Sequence, residues 1–152
     1  MVIKAEQLKD DLIDRVAGRL RERLEAGRVE TAERFLRQFY ANVPPDDILS
    51  EKPDNLYGAA LALWSHGQTR PLGVSKVRVY SPKPEEQGWK SSHTIVEIIN
   101  DDMPFLVDSV TAALDQLGLE VYLIIHPIVR LVRDAQGAVT ALCQPSEARE
   151  GA

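Results

Sequence analysis

Thr94-Ile-Val-Glu-Ile-Ile-Asn-Asp-Asp-Met-Pro-Phe-Leu-Val-Asp-Ser-Val110, resuming as Leu119-Glu-Val-Tyr-Leu-Ile-Ile-His-Pro-Ile-Val-Arg-Leu-Val132, is the stretch whose reading decides the fold. An apolar run from Ile95 to Ile99 meets an acidic turn at Asn100, Asp101 and Asp102, and a helix-period segment follows. Leu106, Val110, Ala113, Leu114 and Leu117 fall at i, i+4, i+7, i+8 and i+11, one face of a 3.6-residue period. Asp108, Ser109, Thr111, Asp115 and Gln116 take the other face. Pro104 suits a first helical turn, Asp101 or Asp102 can accept the free amides there, and Gly118 suits the left-handed residue that ends a helix. The segment therefore reads as a β-turn-α-β unit.

The second apolar run, Val121 to Val132, predicts a strand buried on both faces, with Pro127 placing it at an edge or a bulge because proline lacks the ladder donor. Arg133-Asp134-Ala135-Gln136-Gly137 turns the chain into a hairpin partner over Ala138 to Leu142, with Gly137 at the positive-φ position. Upstream, Val77 and Val79 alternate with Lys76, Arg78 and Tyr80, the pattern of a half-buried strand. Residues 82–87 read as a polar loop.

The first half of the chain has the helical period instead. Leu8, Leu12, Val16, Leu20 and Leu24 recur at every fourth residue from Lys4 to about Ala26, with Gly27 as a stop. Ala32, Phe35, Leu36, Phe39 and Tyr40 mark a second helix from Glu30 to Asn42, so the two predict a helical hairpin. A further turn at Pro45 to Leu49 and a third helix carrying Leu56, Ala59, Ala60, Leu63 and Trp64 follow, with Ser50 and Asp54 as candidate caps. Gln68 to Ser75, with Pro71 and Gly73, is the clearest linker. The predicted organisation is α+β, with a helical module over residues 1–70 and a β-β-α-β-β unit over residues 71–152.

Longer stretches resemble a known family. Asp102-Met103-Pro104-Phe105-Leu106-Val107 between strand and helix is similar to the Asp-x-Pro-Gly-Leu-Leu turn that opens ACT domains, small ferredoxin-like regulatory modules. Gly58-Ala-Ala-Leu-Ala-Leu-Trp64, Lys76-Val-Arg-Val-Tyr-Ser-Pro82, Asp101 to Val110, His126-Pro-Ile128 and Arg133 to Gly137, in that order, resemble the amino-terminal region of the large bacterial NAD-dependent glutamate dehydrogenases. The resemblance implies an antiparallel ferredoxin-like sheet, strand order 4-1-3-2, with a covering helix. Only Gln144 to Ala152 remain for the second helix and fourth strand, so the unit is expected to be incomplete, and its open edge predicts a homo-oligomer.

The resemblance also implies a parent that converts L-glutamate, NAD and water to 2-oxoglutarate, ammonium and NADH, with its dehydrogenase residues beyond residue 152. This segment is then expected to be non-catalytic, with no cofactor of its own and NAD held by the parent. Its partners would be the parent's remaining domains and a second copy. Asn100, Asp101, Asp102, Met103, Pro104 and Phe105 form the candidate amino-acid effector site. Phe105 stands where many ligand-binding ACT domains have Gly, and a bulky ring opposes close backbone approach of a ligand. The competing reading is a stand-alone ACT-like amino-acid-binding or protein-interaction module.

Composition narrows the classes further. The 152 residues carry a net charge of -5, which offers no electrostatic footprint for nucleic acid or an anionic membrane. Charge runs through the first ten residues, where a signal peptide would be apolar, and no run is long enough to span a bilayer, so a cytoplasmic location is expected. Cys143 is the only cysteine, which excludes an internal disulfide, and it lacks basic neighbours that would activate a thiolate. Asp101 and Asp102 read as helix-capping carboxylates ahead of a catalytic pair. His126 reads as a packed, hydrogen-bonded imidazole, and His66 and His93 as surface or helix-end residues. Ser109 lacks a Gly-x-Ser-x-Gly context, and neither a Gly-x-Gly-x-x-Gly nor a Walker pattern occurs. Arginines between residues 15 and 37 interleave with Asp and Glu, which predicts a solvated mixed-charge face.

Overall fold

The computed structural model describes residues 2–143; the residues expected to lack room for a second helix and fourth strand, 144–152, lie outside the described residues. Helix α1 (Val2–Arg23) and α2 (Ala26–Tyr40) form the predicted hairpin, joined at Leu24 and Glu25. Gly27 does not stop α1 but lies in the first turn of α2, where a glycine interrupts little of the hydrogen-bond ladder. The short α3 (Pro45–Ile48) leads to α4 (Pro53–His66). Neither Ser50 nor Asp54 caps α4: Pro53 occupies the first turn, and Asp54 instead pairs with Arg19 and Arg23 of α1, each at 3.1 Å.

These helices hold the core. Val16, Ala17, Leu20, Ala32, Leu36 and Ala60 are fully buried, joined by Phe35, Phe39, Tyr40, Ile48 and Leu56. Leu8, expected on this face, is largely exposed. Two polar groups are buried with partners, as an interior demands. Tyr40 donates its hydroxyl to the Leu56 carbonyl at 2.6 Å, and burial, followed by the negative charge of Glu51, pushes its ionisation far above the ordinary tyrosine value. Lys9 donates to the carbonyls of Ala41 (3.1 Å) and Val43 (2.7 Å), placing a cation at the negative end of α2.

Strand β1 (Lys76–Tyr80) pairs antiparallel with β2 (Ile95–Ile99), Lys76 opposite Ile99 and Tyr80 opposite Ile95. Between them lie a one-turn helix, α5 (Pro84–Gln87), and Trp89, whose ring sits where a Cβ on Gly58 would be. Helix α6 (Leu106–Gln116) ends at Gly118, left-handed at φ 73° as expected. Strands β3 (Leu131–Arg133) and β4 (Val139–Leu142) form a second antiparallel hairpin around Gly137, φ 86°.

The architecture is α+β with helices first and strands after, but the sheet is divided into two two-stranded pieces. The predicted strand over Val121 to Val132 is regular only at its end, from Leu131; the residues before it make no ladder. Pro127 cannot donate, and Ile125, Val129 and Leu131 pack on the helical core together with the buried Leu142 of β4. The apolar core thus crosses residue 71: hairpin β3–β4 sits on the helices. The linker joins it, since Val139 donates to the Gln68 carbonyl (2.8 Å) and Arg70 to that of Gly137 (2.9 Å). No residue of α6 is fully buried, so the expected layer of one helix laid over the sheet is not closed.

Candidate functional site

The turn at residues 100–105 leaves β2 at the same end of the hairpin at which loop 70–75 enters β1, because Lys76 and Ile99 are register partners. Two side-chain links tie the two loops, and a third braces loop 70–75 on itself. Ser75 donates its hydroxyl to Asn100 Oδ1 at 2.6 Å, Arg70 Nη1 donates to the Val74 carbonyl at 2.9 Å, and Arg70 Nη2 forms an ion pair with Asp101. Arg70 is buried, with its Nε shielded and lacking a partner, so this staple is organised by a guanidinium largely removed from water. Arg133 lies close by and donates to the Gly137 carbonyl at 2.8 Å. Burial and then the charge of Arg70 lower its pKa from the ordinary arginine value, with Asp101 opposing the shift.

The predicted capping by Asp101 or Asp102 is not what the structure contains. Helix α6 starts at Leu106 with Phe105 as its cap residue and no side-chain cap, and Pro104 lies before the helix. Asp101 is drawn to Arg70 instead, since a buried guanidinium competes better for a carboxylate than exposed amides do. Asp102, Met103, Pro104 and Phe105 all face solvent, and Asn100 Nδ2 reaches Met103 Sδ at 3.3 Å. Phe105 has φ 65°, the left-handed region that the family's glycine would occupy without strain.

On the inner side of hairpin β1–β2, Glu97 is buried and accepts from Arg78 at 2.9 Å (Nε) and 2.5 Å (Nη2) and from the Tyr80 hydroxyl at 3.1 Å. Burial and the Glu97 charge raise the Tyr80 pKa well above the ordinary value. Arg78 also donates to the Ala62 carbonyl of α4 at 3.3 Å, and Lys76 to those of His66 (2.6 Å) and Thr69 (2.9 Å). The hairpin therefore turns its charged face to the helices and its apolar face, Val77, Val79 and Val96, outward.

His66 ends α4, and burial, followed by the charges of Lys76 and Arg78, lowers its pKa. His126, expected to be packed and hydrogen-bonded, is exposed because its segment forms no strand. His93 stacks on Tyr122, ring centroids 4.1 Å apart. The turn is a poor cradle for a dinucleotide: it has no glycine, and two carboxylates stand where a pyrophosphate needs amides and positive charge. Arg70, Leu72, Val74 and Ser75 were not among the predicted site residues; they sat in what reads as a linker, and the one signal was a lone arginine between Thr69 and Pro71.

The family model for the glutamate dehydrogenase ACT1 domain matches residues 35–152, which runs from within α2 through α3 and α4, the stapled turn and both hairpins. The chain belongs to the glutamate dehydrogenase ACT1 family. It is 35% identical over 145 residues to the NAD-specific glutamate dehydrogenase of Halomonas elongata, covering 95% of this chain and 9% of that protein. It is 33% identical over 103 residues to the NAD-specific glutamate dehydrogenase of Pseudomonas aeruginosa, covering 68% of this chain and 6% of that one. No solved structure matches it. The ACT1 chain thus corresponds to a small fraction of its relatives' length, and no helix among its described residues is long and apolar enough to cross a membrane.

Proposed function

We propose that this chain is the non-catalytic regulatory and assembly segment of a cytoplasmic NAD-dependent glutamate dehydrogenase, the parent enzyme taking L-glutamate, NAD and water to 2-oxoglutarate, ammonium and NADH. The observation that carries the reading is the pairing of the ACT1 match with an unclosed apolar layer: the outer face of β1–β2 and the apolar face of α6 await covering surfaces. Such surfaces are what a scaffold offers to neighbouring domains or to a second copy. NAD and the dehydrogenase residues belong to the parent beyond this segment. Purified chain given L-glutamate and NAD is expected to yield no NADH absorbance; turnover would contradict the reading.

The finer proposal concerns an effector. The turn from Asn100 to Phe105, with the uncapped amides that open α6, binds an amino acid and biases the distant catalytic domain. Titration calorimetry against the common amino acids tests it. One amino acid is expected to give heat that Asp102→Ala reduces, and absence of heat with every one leaves assembly as the role.

A further inference from the structure

We propose that the stapled loop pair is a docking knob, and that it seats in the arginine-lined groove on α1 of a second copy of the chain. This deepens the assembly reading above and rests on it. Leu72, Val74, Met103 and Phe105 stand on the two tied loops and are 98%, 48%, 52% and 76% exposed. Large apolar side chains held this open by a rigid staple have the anatomy of an interface centre. Phe105 adds a second observation: its backbone is held left-handed, a strained state for a bulky residue, and the ring gains no burial in return. Asp102 gives the knob an exposed carboxylate, that of Asp101 being paired with Arg70.

The same chain carries the complementary surface. A shallow groove lined by Arg15, Gly18, Arg19, Glu22 and Pro53 lies where α1 passes the start of α4. Gly18 leaves its floor open, with nothing within 4 Å of where a Cβ would be. Arg15 makes no ion pair among the described residues, so its guanidinium is available to an aromatic face and to the carboxylate of Asp102. The groove sits at Pro53, the first residue of α4, whereas the knob follows its last, His66. A helix of 14 residues holds the two about 20 Å apart. One molecule cannot bring its own knob to its own groove, so the contact joins copies, and a two-fold arrangement closes it reciprocally.

Sedimentation velocity on the whole chain over about a hundredfold range of concentration is the test. The mass should climb from 16.9 kDa toward twice that value. Phe105→Gly removes the ring and relieves the strained backbone, so its melting temperature should rise while association weakens by about tenfold or more. Asp102→Arg and Arg15→Glu should each weaken association, and their combination should restore it. A strict monomer at every concentration overturns the knob and any pairing between copies, and leaves only docking on the parent's other domains of the assembly role. Association that survives Phe105→Gly overturns the knob alone, and loss with Phe105→Gly but no rescue by the charge swap overturns the groove as its seat.

Discussion

The helical module and the β1–β2 hairpin carry apolar residues at equally regular spacing, yet they use them in opposite ways. In α1, α2 and α4 the apolar stripes meet one another beyond Leu8, leaving Val16, Leu20 and Leu36 with no exposure, whereas Val77 and Val79 of β1 remain 61% exposed. The reason lies in what each element meets. Helix α4 offers the hairpin carbonyls at Ala62 and His66, and the charged face of the hairpin satisfies them through Arg78 and Lys76. Glu97 then neutralises Arg78 from within the sheet. A polar face matched to carbonyls leaves the apolar face for a different surface, so periodicity identifies the apolar side of an element without saying what will cover it.

The largest effect that tests this contrast comes from truncating equivalent apolar side chains in the two regions. Leu36→Ala in the helical core should cost about 3 kcal/mol in urea unfolding, from lost transfer free energy and the cavity left behind. Val79→Ala on the open face should cost less than about 0.5 kcal/mol in the same chain. Equal costs would mean that the outer face is covered in solution.

A smaller effect sharpens the polar contact between the regions. His66 has its pKa held below its ordinary value by burial and by the positive charges of Lys76 and Arg78, with Glu97 opposing them. The unfolded chain therefore binds a proton near pH 6.5 that the folded chain still refuses. This contribution to stability is full above the unfolded value and is lost as the pH falls through the depressed folded value. Thermal melts from pH 7 downward should show wild type losing stability in that window relative to His66→Gln, and parallel curves would remove His66 from the contact.

Much of this contrast was legible in the residues. The 3.6-residue period marked all the long helices, the alternation at Lys76 to Tyr80 marked β1, and Gly118 and Gly137 marked a helix end and a hairpin turn. What escaped was tertiary. A continuous apolar run such as Val121 to Val132 has no period to show whether it will enter a ladder or lay alternate side chains on a helical core, and here Ile125, Val129 and Leu131 take the second course. The candidate site was half visible. The Asp102-Met-Pro-Phe turn could be found, and Phe105 in place of glycine showed a bulky ring at it, but the left-handed backbone of Phe105 was not foreseen, and Asp101 is held by Arg70, 31 residues away in sequence. No local rule pairs a turn carboxylate with a linker arginine that only the fold brings near.

Native-state hydrogen exchange on the 152-residue chain addresses the central claim, that stability resides in the helical module while the β1–β2 and α6 layer stands open for partners. Amides of α1, α2 and α4 should exchange only through global unfolding, and those of α6 orders of magnitude faster, through local opening. Protection in α6 equal to that in α1 would contradict the account.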